Sequence, residues 1–315
     1  MKTIQMKKII HTFFILLPLL AFSCQSVKYA TTKIQTLNPP TRNIHLSDAE
    51  NIAIVVSLQN NLEKPDSILL TSLAMAIKDN LENSPLYSAY IFPVFTINTN
   101  NARTGLTQEH IADVKESSEA KFLISVESFG TSEIFQKEFP PLISGVDYNI
   151  EYKSKMQIYD ANKLTVIDSR EMHDTIKVKV NIAPLQSPLS KNDIALKVVN
   201  EIAKEYTKEI APFWQEETRY YYTIPKMNAK RQVNDQQWKN AMNIWSKYVD
   251  DSNKTTAAIA CFNMALACEM LGEYELAISW MENVKNKNQK YYWGAYKAVI
   301  EARMDEKEKI DLMLK

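Results

Sequence analysis

The sequence has 315 residues with 37 basic and 37 acidic side chains, 45% hydrophobic residues, 12 Pro and only 5 Gly. That is enough chain for about two folded domains at ~100–200 residues each. Its nearest glycines, Gly130 and Gly145, are fifteen positions apart; P-loops and dinucleotide turns need glycines within about two to five positions so that backbone N–H groups reach phosphate, so both are excluded.

Residues 1–23 carry Lys2, Lys7 and Lys8, no acid, and an apolar run over 9–22 interrupted by Pro18. A basic start, a short apolar core and small Ser23 before the cut read as a signal peptide. The run falls short of the ~20 residues that cross a bilayer. Without those three lysines, 34 basic residues face 37 acidic ones, net −3. From Lys226 onward 14 basic residues face 12 acidic ones, so no basic stripe marks the chain for nucleic acid.

Ala21-Phe22-Ser23-Cys24 resembles the bacterial lipobox, with Ala21 where that pattern favours Leu. The resemblance implies a diacylglyceryl group on the Cys24 thiol, whose acyl chains anchor at ~0.8 kcal/mol per buried CH₂. Gln25-Ser26-Val27-Lys28 has no acidic pair like the surface-export tag of Bacteroidetes. The expected location is therefore the periplasmic face of the outer membrane. Residues 24–47, with Asn38-Pro39-Pro40-Thr41, read as a flexible tether.

Residues 51–58 form an apolar run of strand length, the mark of a strand buried on both faces. Ile68, Leu69, Leu73, Ile77 and Leu81 recur at helical spacing behind Asp66, which suits an N-cap. A second strand is predicted over 90–97, a short helix from Thr107, and a third strand over 121–126. Longer alternating strands follow, with Asp160-Ala161-Asn162-Lys163 as a hairpin turn and a further strand over 175–180. Ile194, Val198, Ile202, Tyr206 and Ile210 then mark a helix ending before Pro212. The order gives an α+β domain over 48–214, a mixed sheet with helices on one face. In that order it resembles the small domain of periplasmic assembly lipoproteins, such as those of curli secretion and penicillin-binding-protein activation. The aromatic stretch 213–222 reads as packing in a junction spanning 215–234.

The last part, 235–315, is helical. Residues 260–280, with Ala265, Gly272, Tyr274 and Ala277, resemble a tetratricopeptide repeat, in which small residues let paired helices meet and Gly ends the first helix. Ala241 precedes Ala277 by 36 positions and Ile310 follows it by 33, near the 34-residue period. Such an array offers a concave face to peptides, and the polar Asn263 and Glu269 are the candidate partner-binding residues.

Chemistry-bearing motifs are sparse. Cys261 and Cys268 lie ~10 Å apart along one helix, beyond disulfide reach. His11, His45, His110 and His173 share no metal-ligand spacing. Glu171 and His173 share a strand face beside Asp174, which reads as a solvated surface. Ser118-Glu119-Ala120-Lys121 matches Ser-x-x-Lys of penicillin-interacting enzymes without their Ser-Asp-Asn and Lys-Thr-Gly companions. No cofactor, metal or catalytic residue is assigned.

The lipobox, the sheet domain, Pro212-Phe213-Trp214 and residues 263–280 together resemble an uncharacterised Bacteroidetes lipoprotein family, a domain of unknown function ending in tetratricopeptide-like helices. That implies no activity. The expected function is a non-catalytic, lipid-anchored protein-binding or assembly module of the Gram-negative envelope, with an envelope protein or peptide as partner. An envelope hydrolase acting on glycan or cell-wall material and a small-ligand binding lipoprotein stand as alternatives.

Overall fold

The structure, a computed structural model, describes residues 27–42, 44, 46, 51–60, 62–99, 105–137, 146–180 and 191–313. The signal peptide and Cys24 lie outside them. Among the described residues, 37–214 with 309–313 form one compact unit and 27–36 with 215–308 a second.

The first unit is α+β. Strand β2 (Ile52–Gln59) is buried from Ile52 through Ser57 because it is flanked on both edges and covered on both faces. It pairs in parallel with β3 (Val94–Thr99) and with β4 (Phe122–Lys137). β4 continues antiparallel to β5 (Val146–Asp160), and β5 to β6 (Thr165–Val180), giving the order β3-β2-β4-β5-β6. The long strand β6 takes in the predicted 175–180 strand. Asp160 Oδ1 accepts from the amides of Asn162 at 2.9 Å and Lys163 at 3.0 Å, fixing the hairpin turn where the sequence places it.

Alternation along β2 divides the core. Ile54 and Val56 face helices α1 (Lys64–Glu82) and α3 (Lys191–Ile210), through Leu73, Ile77 and Leu81 of α1 and Val198, Ile202 and Tyr206 of α3. Each such fully buried aliphatic side chain contributes ~1.5–3 kcal/mol. Ala53 and Val55 face the other way, onto Ile111 and Val114 of α2 (Gln108–Ser118). Helices thus cover both faces, where the sequence suggested one. The chain alternates sides because its two right-handed crossovers run in opposite directions along the sheet, from β2 out to β3 and from β3 back past β2 to β4. Asp66 sits in the first turn of α1, with Glu63 at the N-cap. His110 closes a capping box with Thr107 at the start of α2.

The described residues of the expected tether are structured. Residues Lys28–Asn38 form β1, and beyond it Thr41 and Arg42 donate their amides to the carbonyls of Lys208 and Glu209 at 3.0 Å each. The Arg42 guanidinium pairs with Asp168 and with Glu209, which also holds Arg170 at 2.9 Å.

In the second unit, β1 pairs with β7 (Phe213–Thr223) as a two-stranded ribbon. Thr36 bonds to the Gln215 carbonyl and Thr223 to that of Lys28, so the strands run antiparallel. Helices α4 (Lys230–Asn234), α5 (Trp238–Trp245), α6 (Lys254–Met270), α7 (Tyr274–Lys287) and α8 (Gly294–Met313) follow. The predicted junction 215–234 is therefore part of this unit. Helix α6 is its axis, buried without a break from Thr256 to Glu269. Ala265 and Ala277 are both fully buried between paired helices. Gly272 turns the chain between α6 and α7 at φ +75°, the left-handed region glycine enters without steric cost. Ala241 is buried as well. Cys261 and Cys268 are free and buried, and burial pushes both thiols up to about 11. Among the described residues no helix is long and apolar enough to cross a membrane.

Candidate functional sites

The two polar residues expected on a groove lie inside the helical unit. Asn263, wholly buried, accepts from the Tyr222 amide and donates to the Tyr222 carbonyl, both at 2.8 Å. Glu269 accepts from Arg219 Nη2 at 2.8 Å and from Tyr296 Oη at 2.5 Å. Arg219 also reaches Glu217 at 2.6 Å. Burial alone would lower the Arg219 pKa, but its bonds to Glu269 raise it and hold the cation; burial, then the Glu269 charge, raises that of Tyr296. The Asn263 and Glu269 side chains are both buried and engaged inside the unit, whereas the sequence expectation placed them on a groove face. Polarity on a helix buried all round signals an internal partner, because an unpaired buried polar group is costly.

Beside this cluster lies a recess of about 220 Å³, lined by Arg219, Tyr220, Phe262, Trp293, Tyr296 and Val299 among others. Its rim is aromatic. Tyr29 meets Tyr220 edge-on at 5.9 Å between ring centroids, Tyr220 meets Trp293 at 6.0 Å, and Trp293 meets Phe262 at 5.8 Å. Tyr221 and Tyr222 pack inward, as the sequence suggested for this stretch, whereas Tyr29, Tyr220 and Trp293 are exposed.

A second hollow, about 190 Å³, belongs to the α+β unit and lies at the C-terminal ends of α1 and α3. Asn80, Asn83, Ser84, Thr207, Lys204 and Lys208 line it, with Phe213 and Trp214 at one side. Ser84 donates to the Pro212 carbonyl at 2.7 Å and fixes the turn that presents Trp214 to solvent, 54% exposed. Lys208 pairs with Glu205 at 2.6 Å and lies 5.6 Å from the centre of the Phe213 ring. Among the described residues the wall therefore holds amides, hydroxyls, ammonium groups and an indole face, and no carboxylate or imidazole. The signal was present as Pro212-Phe213-Trp214 after a predicted helix end, but aromatic density alone does not separate packing from presentation.

A third feature is buried. A bulge between Val126 and Ser128 sets Glu127 apart from the β4-β5 ladder, a device that re-aims a side chain. Glu127 Oε1 lies 3.1 Å from Tyr159 Oη, which is 2.7 Å from Gln157 Oε1 and accepts from the Leu106 amide at 2.9 Å. One phenolic proton serves one of those two acceptors at a time. Burial, then the Glu127 charge, raises the Tyr159 pKa. Among the described residues, Glu127 Oε2 and Ser125 Oγ, both buried, have no hydrogen-bond partner. They sit where β2 and β4 end their parallel pairing, the switch point of the sheet.

The remaining sequence candidates separate in space. Glu171, His173 and Asp174 are exposed on β6, and among the described residues no group of three His, Cys, Asp or Glu side chains could hold a metal. Ser118 Oγ donates to the Val114 carbonyl at 2.6 Å, which engages the hydroxyl of the Ser-x-x-Lys match. His11 and His45 lie outside the described residues.

Fold and sites together define a two-part protein, a mixed five-stranded sheet between helices followed by a helical unit of about five helices. The chain belongs to the family described as domain of unknown function DUF8603, matched over residues 38–222. Residues 227–313 match a second family, domain of unknown function DUF6340. No curated protein matches the sequence. Among solved structures, the chain is distantly similar to a PelC dodecamer from Paraburkholderia phytofirmans, with 11% identity, 56% of this chain and 97% of that one covered, and a TM-score of 0.27. It is likewise similar to a minor lipoprotein from Acinetobacter baumannii (12% identity, 50% and 89% covered, TM-score 0.23). Lipoprotein GNA1162 from Neisseria meningitidis gives 15% identity, 49% and 98% covered, and a TM-score of 0.23. Likeness at this level carries no information on ligand or activity.

Proposed function

We propose that this chain is a non-catalytic, lipid-anchored binding and assembly module of the Gram-negative cell envelope. It is held to the periplasmic face of the outer membrane by a diacylglyceryl group on Cys24. Its helical unit is tetratricopeptide-like, built around the α6-α7 hairpin, and its partner is an envelope protein that seats a polar, acceptor-rich segment in the hollow beside Trp214. The composition of that hollow carries the reading. Asn80 and Lys204 supply donors, Trp214 supplies a flat apolar face of the kind that dominates recognition surfaces, and no lining carboxylate or imidazole can move a proton. The hydrolase alternative loses support from the engaged Ser118 hydroxyl.

The test is a photo-crosslinking amino acid at position 204 of the full chain in intact cells, with and without Trp214→Ser. A discrete protein adduct is expected, reduced at least about 10-fold by Trp214→Ser, since losing an aromatic anchor costs ~2 kcal/mol or more. An adduct pattern indifferent to Trp214, or none, would sink the reading.

A further inference from the structure

The anchor reading and the structured β1 together place one surface of the helical unit against the bilayer. Lys28, the first residue of β1, follows Cys24 by four positions, at most ~14 Å of extended chain. A lipid on Cys24 therefore holds that end of β1 close to the membrane with no long tether between. At that end Tyr29 is 66% exposed, next to Tyr220 and Trp293 at 43% and 40%. The apolar surface continues onto α8, where Ala295, Ala298, Val299 and Ala302 are all exposed. These positions repeat at i, i+3, i+4 and i+7, the apolar stripe of an amphipathic helix that normally packs on something. The ammonium of Lys290 lies 5.8 Å from the centre of the Tyr291 ring and that of Lys285 5.8 Å from that of Tyr292. Lys28 and Lys290 are exposed.

Tyrosine and tryptophan bordered by lysines suit the headgroup region, where one end of an aromatic ring is wet and the other apolar and where anionic lipids attract the ammonium groups. We infer that Tyr29, Tyr220, Trp293 and the Ala295–Val299–Ala302 stripe form a membrane-docking face that lies in the headgroup layer of the leaflet anchoring Cys24. The recess between Tyr220 and Trp293 faces acyl chains. This inference rests on the proposed lipidation of Cys24.

The experiment separates the two. The chain from residue 24 onward, with Cys24→Ser and an N-terminal polyhistidine tag, is tethered to vesicles of phosphatidylethanolamine, phosphatidylglycerol and nickel-chelating lipid. It also carries Trp214→Phe, which removes the other strongly exposed tryptophan. Brominated acyl chains are expected to quench at least half of the emission that Trp293→Phe removes, and amide exchange over residues 291–299 is expected to slow about tenfold on tethering. Unquenched Trp293 on tethered protein overturns the docking face, as does a dimer in solution that protects the same residues, which would assign the patch to a second copy. The mass of the native N-terminus decides lipidation on its own. Unmodified Cys24 with quenched Trp293 removes the anchor and leaves the docking face standing.

Discussion

Replacing Glu269 with Ala tests whether the helical unit is held by its buried ion cluster. The side chains of Arg219 and Glu269 are 8% and 1% exposed, so truncation leaves a guanidinium inside the protein with Glu217 as its remaining partner, and leaves the buried Tyr296 hydroxyl without an acceptor. Breaking a buried pair from one side costs ~3–5 kcal/mol, and an orphaned hydroxyl adds part of a further ~1–3 kcal/mol. With a urea m-value of ~2 kcal/mol/M for a unit of this size, a loss of ~4 kcal/mol lowers the midpoint by ~2 M. Amide exchange of α6 across a urea series reads this for the helical unit alone. The triple change Glu269→Leu, Arg219→Met and Tyr296→Phe removes every member together and should return to within ~2 kcal/mol of the wild type, since apolar replacement of a whole buried cluster is often near neutral. A loss under ~1 kcal/mol in the single variant, or equal losses in single and triple variants, would refute the reasoning.

Gly105 has φ +69°, and a Cβ there would lie 2.5 Å from both Gln157 Oε1 and Tyr159 Oη. Gly105→Ala is therefore expected to cost at least ~2 kcal/mol, from the ~1–2 kcal/mol left-handed penalty plus displacement of the Tyr159 hydroxyl, as measured by urea denaturation. The bond from Lys163 and the amides of Asn162 and Lys163 hold the Asp160 carboxyl below its ordinary 3.8. Its contribution is complete above the unfolded value and lost as pH falls through the depressed folded value. Asp160→Ala should thus cost ~1 kcal/mol near neutrality, and in an acid titration the gap to wild type should close only below about pH 3.8.

Elements with a single dominant periodicity were legible from sequence. The run 51–58 reads as a buried strand, and its residues 52–57 are buried, and the spacing from Ile194 to Ile210 names five buried positions of α3. Strand β1 was not legible because its inward positions, Thr32, Ile34, Thr36 and Asn38, are mostly polar, and strand alternation carried by threonine leaves no hydrophobic signature. The β-branched residues were the available hint. Asn263 and Glu269 misled for a related reason. A polar residue at a helix position signals solvent only when the helix has a solvent side, and α6 has none over fourteen consecutive residues. The hollow beside Trp214 brings the end of α1 together with the end of α3 and the start of β7, about 120 positions further along the chain, and no local pattern encodes that convergence. The switch-point cluster around Glu127 depends on a bulge, which one extra strand residue creates without any compositional mark.

Asn263 also occupies part of the edge of the β1-β7 ribbon. A two-stranded ribbon leaves outward-facing backbone groups on β7 beyond its pairing with β1, and such an edge is a template on which other chains can add strands. At Tyr222 both groups are taken by one carboxamide from α6, which offers a donor and an acceptor side by side as the next strand would. At that residue α6 stands where a third strand would otherwise add.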